Sequence, residues 1–283
     1  MIASDLDGTL LRSDGTVSDR TRAALRNAED AGFVVAFVTG RPTRWLDEVI
    51  ETTGHIGVAV GANGAVIYDM ETETVLTSHL LEPRLLAAIA ADLRQHFPRL
   101  QFAVEYGDGF AAEPGYTHDW EINPKYDRRG DAIAPPIVGD LATILAKPVV
   151  KLLAKDAGAD VDAMIAEVYA VLAGRATVTH SSSFGLLEIC APGITKATGL
   201  AEIAASHGIR AEEVVAVGDM PNDVPMLEWA GRSYAVANAH PAALAAADEI
   251  IGTNDEDAVA VLIESLLPPA LHPQSPLSQP DSD

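Results

Sequence analysis

Asp5 and Asp7 stand one residue apart in MIASDLDGTLL, directly after an apolar lead-in that reads as a buried strand. Three other apolar runs also end in polar side chains: FVVAFV in Thr39-Gly40-Arg41, GVAVGA in Asn63-Gly64, and VVAV in Gly218-Asp219, with Asn222-Asp223 just beyond. Four Asp carboxylates gathered in one crevice repel one another unless a counter-ion sits among them. Oxygen donors without His or Cys suit a hard divalent cation, Mg²⁺ foremost. A calcium-binding EF-hand loop is excluded, because it would need Gly at position 10 and Glu at 16 where the chain has Leu10 and Thr16. Each cluster also has a plain reading when taken alone. DLDGT fits an Asx-type turn, Thr39-Gly40 a strand-to-helix connection, and Lys196 a solvated helix side chain. Helix N-capping accounts for one of Asp219 and Asp223, but not for both together with Asn222.

These groups meet only if the elements that carry them line up. In an open parallel sheet the carboxyl ends of the strands share one edge, and ligands bind there. VSDRTRAALRNAEDAG predicts a helix with Ser18 as N-cap and Gly32 as its stop, FVVAFVTG a buried strand, and PTRWLDEVIETTG a helix with Pro42 near its first turn. GVAVGANGAVIYD predicts one further buried strand running into a tight turn. Such alternation is the pattern of a parallel sheet covered on both faces. From about residue 83 the texture changes: a helix over LEPRLLAAIAADLRQHF, an aromatic and Gly-rich stretch from Phe102 to Pro136, the strand VVKLLAK, the helix VDAMIAEVYAVLAG, and the paired strands ATVTHSS and GLLEICA. After Gly193 the first texture returns. The expected organisation is therefore an α/β, doubly wound, parallel Rossmann-like core from residues 1–82 and 191–267, interrupted by an inserted α/β unit over 83–190. A Pro/Ser-rich tail over 268–283 is expected to be disordered.

Composition narrows the function classes. The 283 residues hold 19 Lys and Arg against 41 Asp and Glu, a net charge of −22, which repels nucleic acid and anionic membrane surfaces. An anionic small molecule stays admissible where a metal ion reverses the local field. The single cysteine, Cys190, allows neither an intramolecular disulfide nor a thiolate metal cluster. No apolar run reaches membrane-spanning length, and Asp5 interrupts the N-terminus where a secretory signal would be apolar. A cytoplasmic protein is expected, its oligomeric state open.

The set D5-L-D7-G-T9, V38-T39-G40-R41, Lys196 in GITKATGL, and G218-D219-M-P-N222-D223 resembles the four motifs of the haloacid dehalogenase superfamily, most closely its Cof-type sugar phosphatase branch. The resemblance spans the chain in the right order. It implies that Asp5 is a nucleophile forming an aspartyl phosphate, that Asp7 serves as general acid and then general base, and that Thr39 and Lys196 bind the transferring phosphoryl group. It further implies Mg²⁺ held by Asp5, the backbone carbonyl of Asp7, and Asp219, with Asn222 and Asp223 in support. Gly40, Arg41 and Asn63 are placed beside the substrate. Asp7 separates such phosphatases from the superfamily's ion pumps, which carry Thr there, and from its dehalogenases, which lack this acid and the metal. The inserted unit is similar to the branch's large cap, in which Tyr106, His118, Trp120, Lys125, Arg128 and Arg129 are candidates to contact a sugar or a second anionic group. The implied function is Mg²⁺-dependent hydrolysis of small phosphorylated metabolites, sugar phosphates foremost. A phosphomannomutase-like isomerase is the alternative, and a non-catalytic ligand-binding module a third.

Overall fold

The computed structural model describes residues 1–107, 109–116, 136–181 and 185–268. The strands of the first part are β1 (Ile2–Ser4), β2 (Val35–Val38), β3 (Val58–Gly61), β4 (Val66–Asp69) and β5 (Thr74–Ser78). Next come β6 (Gln101–Tyr106), β7 (Gly109–Ala112), β8 (Ile137–Val138), β9 (Lys151–Lys155), β10 (Thr177–Thr179) and β11 (Leu186–Cys190), and then β12 (Val215–Gly218), β13 (Arg232–Val236) and β14 (Glu249–Ile251). The helices are α1 (Asp19–Asp30), α2 (Leu46–Thr53), α3 (Pro83–His96), α4 (Leu141–Ile144), α5 (Val161–Leu172), α6 (Lys196–Ser206), α7 (Val224–Trp229), α8 (Pro241–Ala246) and α9 (Ala258–Leu266).

Among the described residues these strands form two sheets, ordered β14-β13-β12-β1-β2-β3-β4-β5 and β10-β11-β9-β6-β7-β8. In the first, the strands from β14 to β3 run parallel. Their apolar runs are buried without alternation: Ala36, Phe37 and Val38 are all fully buried, as a sheet covered on both faces requires. Helix α1 packs with α9, and α6, α7 and α8 pack in series. The N-cap expected at Ser18 is present, its hydroxyl accepting from the Thr21 N–H at 3.0 Å.

One expectation needs correcting. GVAVGANGAVIYD forms two antiparallel strands, β3 and β4, with Val60 opposite Ile67, and β5 adds a further antiparallel strand at that edge. The cause is local: Ala62, Asn63 and Gly64 all take positive φ (48°, 58° and 103°), which reverses the chain. The weakly periodic stretch after Phe102 likewise contains strands β6 and β7.

The second sheet is antiparallel from β10 to β7, and its two faces differ. Phe102, Val104, Leu152, Ala154, Leu187 and Ile189 pack in one apolar cluster with residues of α3 and α5. Glu105, Lys151, Leu153, Leu186 and Glu188 lie on the opposite face, turned toward the first sheet's carboxyl edge.

The turn after β3 is also where α6 docks. A side chain at Gly64 would collide with the Thr195 carbonyl at the N-cap of α6, and its φ of +103° disfavours any L side chain. This close approach brings Lys196, the first residue of α6, under the sheet edge. Gly64→Ala is expected to lower unfolding stability by at least about 2 kcal/mol in urea denaturation, combining overpacking with backbone strain. An unchanged midpoint would show that α6 does not depend on this contact.

Candidate active site

Strands β12, β1 and β2 are neighbours, so the residues that follow them, Asp219, Asp5 and Thr39, line one edge. Backbone bonds extend the ladder into the site: Asp5 N–H donates to the Val217 carbonyl at 3.0 Å, and Thr39 N–H to Val60 at 2.8 Å. Lys196 approaches from below, fully buried, its ammonium donating to Asp5 Oδ1 at 2.6 Å and to Asp223 Oδ1 at 2.5 Å. The other oxygen of Asp223 accepts from the backbone N–H groups of Asp219 (3.0 Å) and Met220 (2.9 Å), which fixes the loop after β12. Asp219 Oδ1 accepts from the Thr9 hydroxyl at 3.0 Å. Gly8, at φ +77°, leaves room for the Asp219 carboxylate where any Cβ would collide with it.

Asp5, Asp219 and Asp223 each place a carboxylate oxygen within 4.8 Å of the others. Three carboxylates against one ammonium leave a formal −2 in a buried place. Burial, then Asp223, push the Asp5 carboxyl well above the usual range, with Lys196 pulling the other way. The same two causes push Asp219 up to about 6. Burial opposes the charge of Lys196, but Asp223 and Asp5 outweigh it and hold the amine protonated. Asn222 Nδ2 donates to Asn63 Oδ1 at 3.0 Å, while the buried Asn222 Oδ1 has no hydrogen-bond partner among the described residues. Oxygen donors, uncompensated negative charge and an orphaned amide oxygen together fit a divalent cation such as Mg²⁺.

Above this floor lies a cavity of about 250 Å³ between the two sheets. From the first it is lined by Asp5, Asp7, Thr39, Gly40, Arg41, Trp45 and Asn222, and from the second by Glu105, Lys151, Leu153, Ser181, Leu186 and Glu188. Asp7 is half-exposed at the rim and held by a two-pronged pair with Arg41, Nε to Oδ2 at 2.8 Å and Nη2 to Oδ1 at 2.6 Å. The Thr39 hydroxyl accepts from the Arg41 N–H at 3.1 Å. Thus Asp5, Asp7, Thr39, Gly40, Arg41 and Asn222 share the cavity, with Asn63, Lys196, Asp219 and Asp223 joined to them by the bonds and close approaches above.

Tyr106 is not among the lining residues; it packs toward the apolar cluster of α3 and α5, on the opposite face from its neighbour Glu105. His118, Trp120, Lys125, Arg128 and Arg129 lie outside the described residues, as does the tail from residue 269. Sequence reasoning missed Glu105, Lys151 and Glu188. The available signal was a charge flanked by apolar residues in each of three strands, Glu105 in FAVEY, Lys151 in VVKLLAK and Glu188 in LLEICA, because a buried strand charge needs a partner.

Comparison with known proteins agrees with this geometry. The family model for haloacid dehalogenase-like hydrolases matches residues 2–263. The chain is 30% identical over 271 residues to the 5-amino-6-(5-phospho-D-ribitylamino)uracil phosphatase YcsE of Bacillus subtilis, covering 93% of this chain and 94% of that one. It is 28% identical over 266 residues to YitU, a phosphatase of the same description from the same organism, covering 92% and 94%. Among solved structures, SMU.1108c from Streptococcus mutans superposes with a TM-score of 0.80 at 24% identity, covering 94% of this chain and 97% of that one.

The raised carboxyl groups set a pH dependence. With the folded Asp219 near 6 and an unfolded value of 3.8, the metal-free folded state holds more protons than the unfolded state between these values. Its stability therefore falls as pH rises through that window. In EDTA, the thermal midpoint of Asp219→Asn is expected to fall less between pH 4 and 6.5 than that of wild type; equal slopes would contradict the assignment.

Proposed function

The chain belongs to the haloacid dehalogenase-like hydrolases and is a phosphatase of phosphorylated small molecules, and from that premise we propose that it uses Mg²⁺ and an aspartyl-phosphate intermediate on Asp5 to hydrolyse sugar phosphates. The observation that carries this reading is Asp5 at the cavity floor, with one oxygen held by Lys196 at 2.6 Å and Asp7 at the rim above it.

Asp5 attacks phosphorus with the oxygen that Lys196 does not hold, while the bond to the leaving oxygen breaks. Lys196, Thr39 and backbone N–H groups near Gly40 and Leu6 hold the phosphoryl oxygens, which supplies the positioning and charge compensation that phosphoryl transfer demands. Asp7 gives its proton to the leaving oxygen. It then takes one from the water that attacks the phosphoenzyme, and Asp5 is regenerated. Arg41 anchors Asp7 at the rim by both carboxylate oxygens, so one of these bonds opens as Asp7 becomes the acid. Bound Mg²⁺ would be held by Asp5, Asp219 and the Asp7 carbonyl, with Asn222 and Asp223 in support, and would offset the charge of the carboxylates and of the incoming phosphate.

The unit from residue 83 to 190 is proposed to act as the cap that selects the leaving group. The cavity wall it shares with the core offers Trp45, Leu186 and the Ser181 hydroxyl, a surface suited to the mixed apolar and hydroxyl faces of a sugar. The names of YcsE and YitU place their phosphate on a ribityl chain, a reduced sugar, which supports the same class here.

Phosphate release from a panel of sugar phosphates tests the proposal. Turnover is expected with Mg²⁺ and not with EDTA, and Asp5→Asn is expected to lower kcat by at least about 10³-fold. Full activity in Asp5→Asn would rule out the covalent route. Conversion of mannose 6-phosphate to mannose 1-phosphate without net phosphate release would point to the isomerase instead. In Asp7→Asn, hydrolysis of the phosphoenzyme is expected to slow by about 10²–10⁴-fold, read by rapid-quench kinetics.

A further inference from the structure

One buried charge cluster in the cavity wall takes no part in the roles above. The Lys151 ammonium on β9 donates to Glu188 Oε1 on β11 at 2.7 Å and lies 3.1 Å from Oε2 of Glu105, its cross-strand partner on β6. Its remaining bond leaves the second sheet and reaches the Gly40 carbonyl at 2.7 Å. Glu105 also reaches across, pairing with Arg44 Nη2 at 3.0 Å. All four side chains are at most 5% exposed, and their formal charges sum to zero.

Neutrality accounts for Arg44, because Lys151, Glu105 and Glu188 alone carry a net −1, but it does not account for the bond from Lys151 to the uncharged Gly40 carbonyl. The cluster thus grips the opposite side at two points, Gly40 and Arg44, on the segment that follows β2. That segment carries the Thr39 hydroxyl and the Arg41 guanidinium that anchors Asp7. Gly40 has no side chain, so its backbone must hold the peptide between these two groups. Burial works against the charge on Lys151, but Glu105 and Glu188 outweigh it and keep the amine protonated as a donor.

We propose that Lys151 is a positioning residue for phosphoryl transfer: from the cap it holds the Gly40 carbonyl and thereby orients Thr39 and Arg41, so that the phosphoryl site is complete only with the cap seated. This rests on the phosphatase reading. A misplacement of such groups by about 1 Å costs on the order of 10²-fold in rate.

Lys151→Met alone leaves the buried Glu188 carboxylate without a cation and is liable to unfold. The charge-neutral pair Lys151→Met with Glu188→Gln keeps the Glu105–Arg44 bridge and is the variant to measure, its folding checked by thermal midpoint. Against p-nitrophenyl phosphate and a sugar phosphate, kcat is expected to fall about 10- to 100-fold by the same factor on both, with KM nearly unchanged. A loss confined to the sugar phosphate would overturn the proposal in favour of leaving-group recognition, as would unchanged kcat. Amide exchange at Arg41, Ala62 and Asn63, whose N–H groups donate to Thr39 and Arg41 of this loop, is expected to quicken at least about 10-fold in the same variant without any substrate. Unchanged exchange would overturn the coupling even if the wild-type chain turned over neither compound, a result that by itself would count only against the phosphatase reading.

Discussion

Three carboxylates crowd the carboxyl edge of a parallel sheet around one buried ammonium, and the rest of the molecule is arranged about that imbalance. The sheet order forces Asp5 and Asp219 together, because β1 and β12 are hydrogen-bonded neighbours and each is followed by an acid. Asp223 spends one oxygen on Lys196 and the other on two backbone N–H groups, so it organises the loop. Lys196 is enough to bind Asp5 and Asp223 to each other but cannot neutralise Asp219 as well. Burial first, and then the charge of Asp223, raise the pKa values of Asp5 and Asp219. Crowding of this kind is the arrangement that oxygen-ligated divalent cations favour.

A second buried charge cluster stands opposite the first. Arg44, Glu105, Lys151 and Glu188 are balanced where the aspartates are not, and they join the second sheet to the loop that carries Thr39 and Arg41. The cavity lies between these two clusters. Its floor is electrostatically unfinished and its wall is balanced in charge, a division that suits a floor for binding charge and a wall for fixing geometry.

Much of this was legible in the sequence for a physical reason. Strands buried on both faces leave unbroken apolar runs, and their carboxyl ends are marked by the first polar residue, which is how Asp5, Thr39, Asn63 and Asp219 could be placed on one edge without coordinates. Caps such as Ser18 are local signals and were equally readable. The antiparallel hairpin of β3 and β4 was readable too, from Asn63-Gly64 between two apolar runs, but the unbroken apolar character on both sides reads equally as one buried strand and masks the turn. The Glu105–Lys151–Glu188 cluster was hidden because its partners lie on three strands whose register is a non-local fact; each charge alone suggests burial with some partner and cannot say which. The pair between Asp7 and Arg41 likewise joins residues 34 apart in the chain.

Proton release on metal binding measures the central imbalance most directly. Titrating Mg²⁺ into the metal-free protein at pH 6, in two buffers of different ionisation enthalpy, yields by calorimetry both the stoichiometry and the protons displaced. Because Asp219 sits near 6 and Asp5 is also raised, binding of one ion per chain with release of about half a proton or more is expected, and Asp219→Asn should release fewer. Binding without proton release, or equal binding and release in Asp219→Asn, would contradict an uncompensated carboxylate cluster at the floor of this site.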